Sequence, residues 1–395
     1  MSTVHPPDGV AASAVTEASP PWHHLIGQVE SLTDLPLDEY LLERLASQGQ
    51  GITRDIHFYT PTFKSFETSE LTCQAATTWP AISVTGSDCR LHCDHCRAEL
   101  LKPMIPARTP ETLWAVVSGL AEAGAKGMLL TGGSNVRNEV DYTPFYSVLE
   151  RIKTTWPLFR IAVHTALMDG PTARALANAG ADIAMMDVIG AQETITQVYH
   201  LRRSVADFEA TLEALVATSM KVVPHIVLGL HYGQLKGEWQ ALEIVARHRP
   251  AALVLVVIMP FYASLQRPFI TPDPTVIGDF LLTARRRLPD IPLLLGCARP
   301  PGQTRTMIDT YATLAGVDGI AHPAEGIVEL AVRLGRRARV TPACCSVAVG
   351  GELLELANGA ESARELTLAD LLTHQTIHAP SPTGTPVHWL PRPTL

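Results

Sequence analysis

The chain has 395 residues, of which 46% are apolar and only 18% charged, and its net charge is −8. Excess acid excludes a bulk electrostatic grip on nucleic acid or on an anionic bilayer. No apolar run approaches the ~20 residues of a membrane span, and the N-terminus MSTVHPPDGV lacks the basic and apolar regions of a secretory signal, so a cytoplasmic protein is expected.

Residues 1–22 are small, polar and Pro-containing and read as a disordered tail, followed by an N-terminal helical cap over 23–80. From there short apolar runs alternate with amphipathic segments. The runs are 81–86, 127–131, 160–164, 181–187, 222–228, 252–258, 291–297 and 317–321. Each is apolar on both faces, as strands inside a parallel sheet must be. Helical patterns over 109–124, 143–156, 171–179, 204–218, 236–248, 274–288, 304–314 and 325–335 follow them. In the first, Thr109 and Pro110 make a helix start, and Leu113, Val116, Val117, Leu120 and Ala121 keep the spacing of one buried face. Eight β-then-α units over 81–335 match the count and the ~250-residue length of a (β/α)8 TIM-type barrel. Residues 336–372 are expected as a C-terminal extension and 373–395 as a Pro-rich tail.

In such a barrel the residues just past each strand collect on the C-terminal face, where chemistry goes. Seven cysteines are present. Cys89, Cys93 and Cys96 fall in one loop after the first strand, Cys344 and Cys345 are adjacent, and Cys73 and Cys297 stand alone. In a reducing compartment this clustering reads as metal or redox chemistry before it reads as disulfides. The C-x3-C-x2-C spacing lets three thiolates hold three irons of a cubane cluster and leaves the fourth iron open. Structural zinc prefers four closed ligands, and His92 or His95 would have to complete the set from a crowded loop. Unliganded structural cysteines fit poorly beside Arg90, His92, Asp94 and His95.

Cys89-x3-Cys93-x2-Cys96 in the loop after a barrel's first strand resembles the signature of the radical S-adenosylmethionine (SAM) superfamily. The resemblance implies a [4Fe–4S] cluster whose open iron chelates SAM, and an electron donor such as ferredoxin or flavodoxin. One electron then cleaves SAM to methionine and a 5′-deoxyadenosyl radical. His95 stands where the family usually has an aromatic residue near the adenine. Thr131-Gly132-Gly133-Ser134 is similar to the glycine pair beside the methionyl amino group, with Ser134 at a position often held by Glu. The segment from Gly229 to Glu238 is similar to an adenine-contacting loop, and reads equally as an ordinary βα loop. His164, Thr165, Asp187, His225, Arg299 and His322 mark other strand ends. Singly such residues are commonly structural; together on one face they point to a pocket, with His164 and Asp187 towards the cofactor. Arg299 reads equally as a surface charge. No residue is assigned acid–base catalysis.

Finer strings, among them Leu295-Gly296-Cys297-Ala298-Arg299-Pro300 and Cys344-Cys345-Ser346, resemble the biotin-synthase-like proteins of the two-subunit lipoyl synthases. That implies sulfur insertion into an octanoyl chain on a lipoyl carrier protein, beside a paralogous radical SAM subunit. Breaking an unactivated C–H bond is beyond side-chain acid–base catalysis, and a second cluster can supply sulfide. Cys297, Cys344 and Cys345 are the candidates for such an auxiliary [4Fe–4S] cluster, with Cys73, Ser346 or Arg299 as a further contact. Against this, adjacent side chains of an extended segment point to opposite faces. Two other readings compete: a biotin-synthase-like enzyme acting on a small molecule, and a non-enzymatic iron–sulfur or zinc scaffold.

Overall fold

In the computed structural model, which describes residues 21–48, 55–60, 68–72, 79–341, 343–344, 364–372 and 377–378, the first strand of the main sheet comes from the segment read above as a cap. This strand, β1 (Ile56–Tyr59), follows two helices, α1 (Pro21–Ile26) and α2 (Glu39–Gln48). All eight expected runs form strands: β2 (Ala81–Ser83), β3 (Gly127–Thr131), β4 (Arg160–His164), β5 (Ile183–Asp187), β6 (Lys221–Leu228), β7 (Leu253–Val257), β8 (Leu293–Leu295) and β9 (Gly319–Ala321). A further strand, β10 (Ala338–Thr341), follows. Strands β2 to β9 lie side by side in chain order and are parallel throughout.

The expected (β/α)8 ring is not closed by hydrogen bonds among the described residues. A strand has two edges, and β9 spends its second on β1 (His57 opposite Gly319), while β2 spends its second on Ile105–Pro106. β1 in turn pairs with β10, and Arg364–Leu366 adds an antiparallel edge. The result is a mostly parallel sheet of twelve strands. None of the described helices is long and apolar enough to cross a membrane.

Helices alternate with the strands: α3 (Pro110–Glu122), α4 (Tyr146–Thr155), α5 (Gly170–Asn178), α6 (Gln192–Gln197), α7 (Val205–Val216), α8 (Glu238–His248), α9 (Pro274–Arg287), α10 (Gln303–Leu314) and α11 (Ile327–Arg333). Their starts are written locally. Thr109 and Thr112 exchange side-chain-to-backbone hydrogen bonds at the head of α3, and Asp169 and Asp273 cap α5 and α9, each of which has a proline in its first turn. Successive strand residues point to opposite faces. Ile161, Ala184, Val222 and Leu253 join the large cluster under the helices, whereas Ala162, Met185, Val223, Val254, Leu294 and Ala321 form a second cluster on the inner face. Trp79 fills one end of that inner face, where a Cβ on Gly127 would lie 2.2 Å from its ring.

Arg299 is fully buried, correcting the reading of a surface charge. Its guanidinium contacts the carbonyl of Gly296, donates to those of Ala321 (2.8 Å) and His322 (2.9 Å), and pairs with the equally buried Asp309 of α10 (2.8 Å). Strand-end carbonyls and one carboxylate thus satisfy the cation, stitching β8, β9 and α10 together. Glu70 is similarly sunk: its carboxylate accepts from Gly326 (2.9 Å), Val328 (3.4 Å) and Glu329 (2.7 Å) at the head of α11. Burial outweighs those amides and lifts its pKa from 4.5 to about 7.

Removing one partner of the buried pair leaves the other uncompensated, so Asp309→Ala should lower the unfolding free energy by about 3–5 kcal/mol in urea titration; a loss below ~1 kcal/mol contradicts this role. Glu70 binds its proton more tightly folded than unfolded. Its contribution is therefore complete below pH 4.5 and lost as pH rises through 7. Relative to Glu70→Gln, the wild-type chain should lose about 3 kcal/mol of stability across that window. A pH-independent difference between the two proteins contradicts it.

Candidate metal centre on the C-terminal face

After β2 the chain turns at Gly86 (φ +62°), braced by Ser83 Oγ donating to the Gly86 carbonyl at 2.7 Å. The cysteine loop then folds on itself. Arg97 N–H donates to Cys93 O at 2.9 Å, and His92, Arg97 and Ala98 sit in left-handed conformations that a tight ligand loop imposes on non-glycine residues. This brings Sγ of Cys93, Sγ of Cys96 and a ring nitrogen of His95 within 4.8 Å of one another. It is the one grouping of three or more potential ligands among the described residues. Cys89, on the same loop, has its Sγ 3.8 Å from Ser134 O. A hydrogen bond from Cys93 leads in drawing the Cys96 thiol down to about 4; burial opposes it and His95 assists. The same bond, burial and the neighbouring sulfurs push Cys93 up. Burial lowers His95, but Cys96, Asp187 and Asp94 overcome it and raise it.

The glycine pair after β3 serves the packing of this loop. A Cβ on Gly133 would stand 1.9 Å from Asp88 O and 2.6 Å from Cys89 Cα, while Gly132 presses against Val84. Gly133 N–H donates to Thr85 Oγ1 (2.7 Å) and Arg90 N–H to Ser134 O (2.9 Å). Ser134 Oγ itself donates to Asn138 Oδ1 at 3.0 Å.

Strand parity carries His164, Asp187 and His225 to the inner face beside the loop, since Ala162, Met185 and Val223 on the same parity line it. His164 Nε2 stands 3.8 Å from Asp187 Oδ1, and the His164 and His225 rings are 6.0 Å apart. Tyr199 donates to Asp187 Oδ2 at 3.4 Å and lies 5.1 Å from the His95 ring. Burial raises Asp187, yet contact with His164 and the charges of His164, His225 and His95 bring it to about 2, so it is ionised. Burial and His164 drive His225 down to about 4, so it is neutral near pH 7. Thr165 is spent structurally, donating to the carbonyls of Ala166 and Met185.

Asp94, between Cys93 and Cys96, gathers three other loops. Its Oδ1 meets His200 Nε2 (2.9 Å); its Oδ2 accepts from Tyr232 (2.8 Å) and Arg267 (2.9 Å). An open cavity of about 630 Å³ adjoins it, lined by Thr196, Gln197, His200, Tyr232, Arg267 and Pro268. Tyr199, His200 and Arg267 carry no sequence motif, whereas Tyr232 lies in the Gly229–Glu238 segment singled out above. The two oxygens of Glu238 accept from Gly229, Leu230 and Gly237, holding that loop's backbone.

Cys297, just past β8, and Cys344, just past β10, pack against the same inner-face cluster. Cys73, Cys345 and Ser346 lie outside the described residues.

No protein-family model matches the chain, and no curated protein matches it in sequence. Among solved structures it is similar to HydG, a maturase of the [FeFe]-hydrogenase, with TM-score 0.52 and 12% identity over 86% of this chain and 80% of that one. It is also similar to HydG from Carboxydothermus hydrogenoformans, with TM-score 0.50 and 14% identity over 84% and 80%. Methylornithine synthase (PylB) aligns over 77% of this chain and 82% of its own at TM-score 0.46 and 13% identity. At these identities the likeness to HydG establishes the fold.

Because Gly133 touches the Cys89 backbone, Gly133→Ala should more than halve the iron bound on anaerobic reconstitution. Gly119→Ala, which faces open space, is the control and should leave iron unchanged. Equal iron in both variants contradicts the packing role.

Proposed function

We propose that this chain is a radical SAM enzyme that inserts sulfur into a protein-bound octanoyl chain in lipoyl cofactor biosynthesis, alongside a paralogous radical SAM subunit. The observation that carries it is the folded cysteine loop, with the thiols of Cys93 and Cys96 drawn together and Cys89 on the same loop, at the strand ends of a fold shared with HydG. Soft thiolate donors suit an iron–sulfur cluster, and Cys89, Cys93 and Cys96 are the residues to hold it. When bound, the cluster with SAM supplies a one-electron reductive cleavage that generates a hydrogen-abstracting primary radical. The protein's own contribution is positional. Gly133 lets two loops meet, Asp94 fixes the cysteine loop, and ionised Asp187 offers an acceptor to hydroxyl or ammonium groups of SAM. The apolar inner face shields the site from water and suits an alkyl chain. Cys297 and Cys344, on that same face, are the reading's auxiliary cluster ligands with Cys345.

One observation favours a second reading. Cys93, His95 and Cys96 lie within mutual reach, a Cys2His grouping that Cys89 of the same loop would have to join to make a four-ligand zinc set. A zinc scaffold predicts zinc after purification and no SAM turnover.

The test combines reconstituted protein, SAM, reductant, the paralogous subunit and an octanoylated carrier peptide under anaerobic conditions. We expect 5′-deoxyadenosine and sulfur-sized mass gains on the peptide, both abolished when Cys89, Cys93 and Cys96 are replaced by Ala. About eight irons should bind per chain, about four of them surviving in that triple variant. 5′-Deoxyadenosine without any change in the peptide overturns the lipoyl assignment and leaves the radical one. Zinc with no SAM cleavage overturns both.

A further inference from the structure

Beyond β8, two guanidiniums share one carboxylate. Arg299 and Arg305 both lie near Asp309, which is committed to Arg299 at 2.8 Å and to the Ala324 amide at 2.8 Å. Arg305 is half-buried on the first turn of α10. Among the described residues its guanidinium reaches the Arg299 carbonyl at 3.5 Å, and its Nε is buried without a hydrogen-bond partner. Every other described arginine that is not exposed has a carboxylate within 3.6 Å or, like Arg336, several carbonyls.

Taking a cation out of water without a counter-charge is expensive, and an arginine does not escape by losing its proton. Burial and the charge of Arg299 pull Arg305 below the ordinary arginine value, and Asp309 and Cys297 oppose them only in part. Arg299 and Arg305 set against Asp309 leave one positive charge unbalanced.

The head of α10 adds neutral donors to that charge. The first amides of a helix have no acceptor within it, Gly302 at the N-cap brings no side chain to meet them, and no acidic residue stands in the first turn. Gly302 and Gln303 are exposed, and a Cβ on Gly302 would touch nothing within 4 Å, so the space in front of these amides is open. Amides and dipole at such a place favour an anion.

The position on the fold points to the kind of anion. Counted from β2, β8 and β9 are the seventh and eighth parallel strands, and Arg299 joins the segments that follow them through the carbonyls of Gly296 and His322. In (β/α)8-type folds the loops after these two strands, with a helix N-terminus, frequently bind phosphate.

We propose that Arg305 and the head of α10 form a binding site for a phosphate group, free or esterified to a small molecule, on the C-terminal face. The assignment does not rest on the lipoyl reading. The guanidinium supplies a charged fork and the amides of Gln303 and Thr304 supply further donors, so several phosphate oxygens are met at once. The negative charge of the ligand offsets the cation that the described residues leave uncompensated.

The test follows binding of inorganic phosphate and of glycerol phosphate to the full chain by isothermal titration calorimetry, at constant ionic strength. Arg305→Gln removes the cation. Gln303→Glu places a carboxylate on the first turn, where it favours the helix and repels the ligand. We expect each variant to bind both probes at least tenfold more weakly, and to melt no lower than wild type in the absence of ligand. Tighter binding of glycerol phosphate assigns the site to an ester, and equal binding of the two probes assigns it to the free ion. Wild-type affinity in both variants overturns the site, as does a wild-type chain that binds neither probe at millimolar concentration. Acetate binding as tightly as phosphate, or SAM displacing phosphate, makes the ligand a carboxylate and likewise overturns the proposal.

Discussion

A single carboxylate holds the site's loops in register. Asp94 lies between Cys93 and Cys96, and its two oxygens gather a histidine, a tyrosine and an arginine from the segments that follow β5, β6 and β7. Charge-assisted hydrogen bonds of this kind are roughly twice as strong as neutral ones and fix direction as well as distance. His200 and Tyr232 both sit at positive φ, a conformation that persists when tertiary contacts over-determine it. The cysteine loop is thereby positioned from outside, by side chains far away in sequence. Gly133 positions it from inside, by the absence of one.

The same logic of neighbours governs the inner face. Two-residue periodicity places His164, Asp187 and His225 on one side of the sheet, and low local dielectric makes them act as a unit. The carboxylate remains charged because imidazoles lie beside it, and His225 remains neutral because it is buried and His164 is near. Charge state here is a property of the group of residues.

What could be read from the sequence was local. Apolar runs without alternation gave eight strands, and pairs such as Thr109-Pro110 marked helix starts, because both signals reside within a few residues. The cysteine spacing was legible for the same reason. β1 was not, since Ile56–Tyr59 becomes a strand only through partners in β9 and β10. Nor was the burial of Arg299, whose acceptors are strand-end carbonyls and an aspartate on α10. Nor were the amides that the Glu238 oxygens satisfy in the glycine-rich turn before it, since they depend on how that turn folds. Tyr199 and His200 reach the site through a turn with no compositional mark.

The placement of β1 bears on how the chain is made. Its two flanking strands, β9 and β10, are synthesised last among the parallel strands of the main sheet, long after β1 leaves the ribosome. Until then β1 carries two unpaired edges of hydrogen-bonding groups, and β2 to β8 can assemble without it. The final seam of the main sheet therefore depends on contacts between residues far apart in the chain, which carry a large loop-closure entropy and form slowly. A nascent protein arrested before β10 would display an apolar, edge-exposed strand of the sort that invites aggregation or chaperone capture.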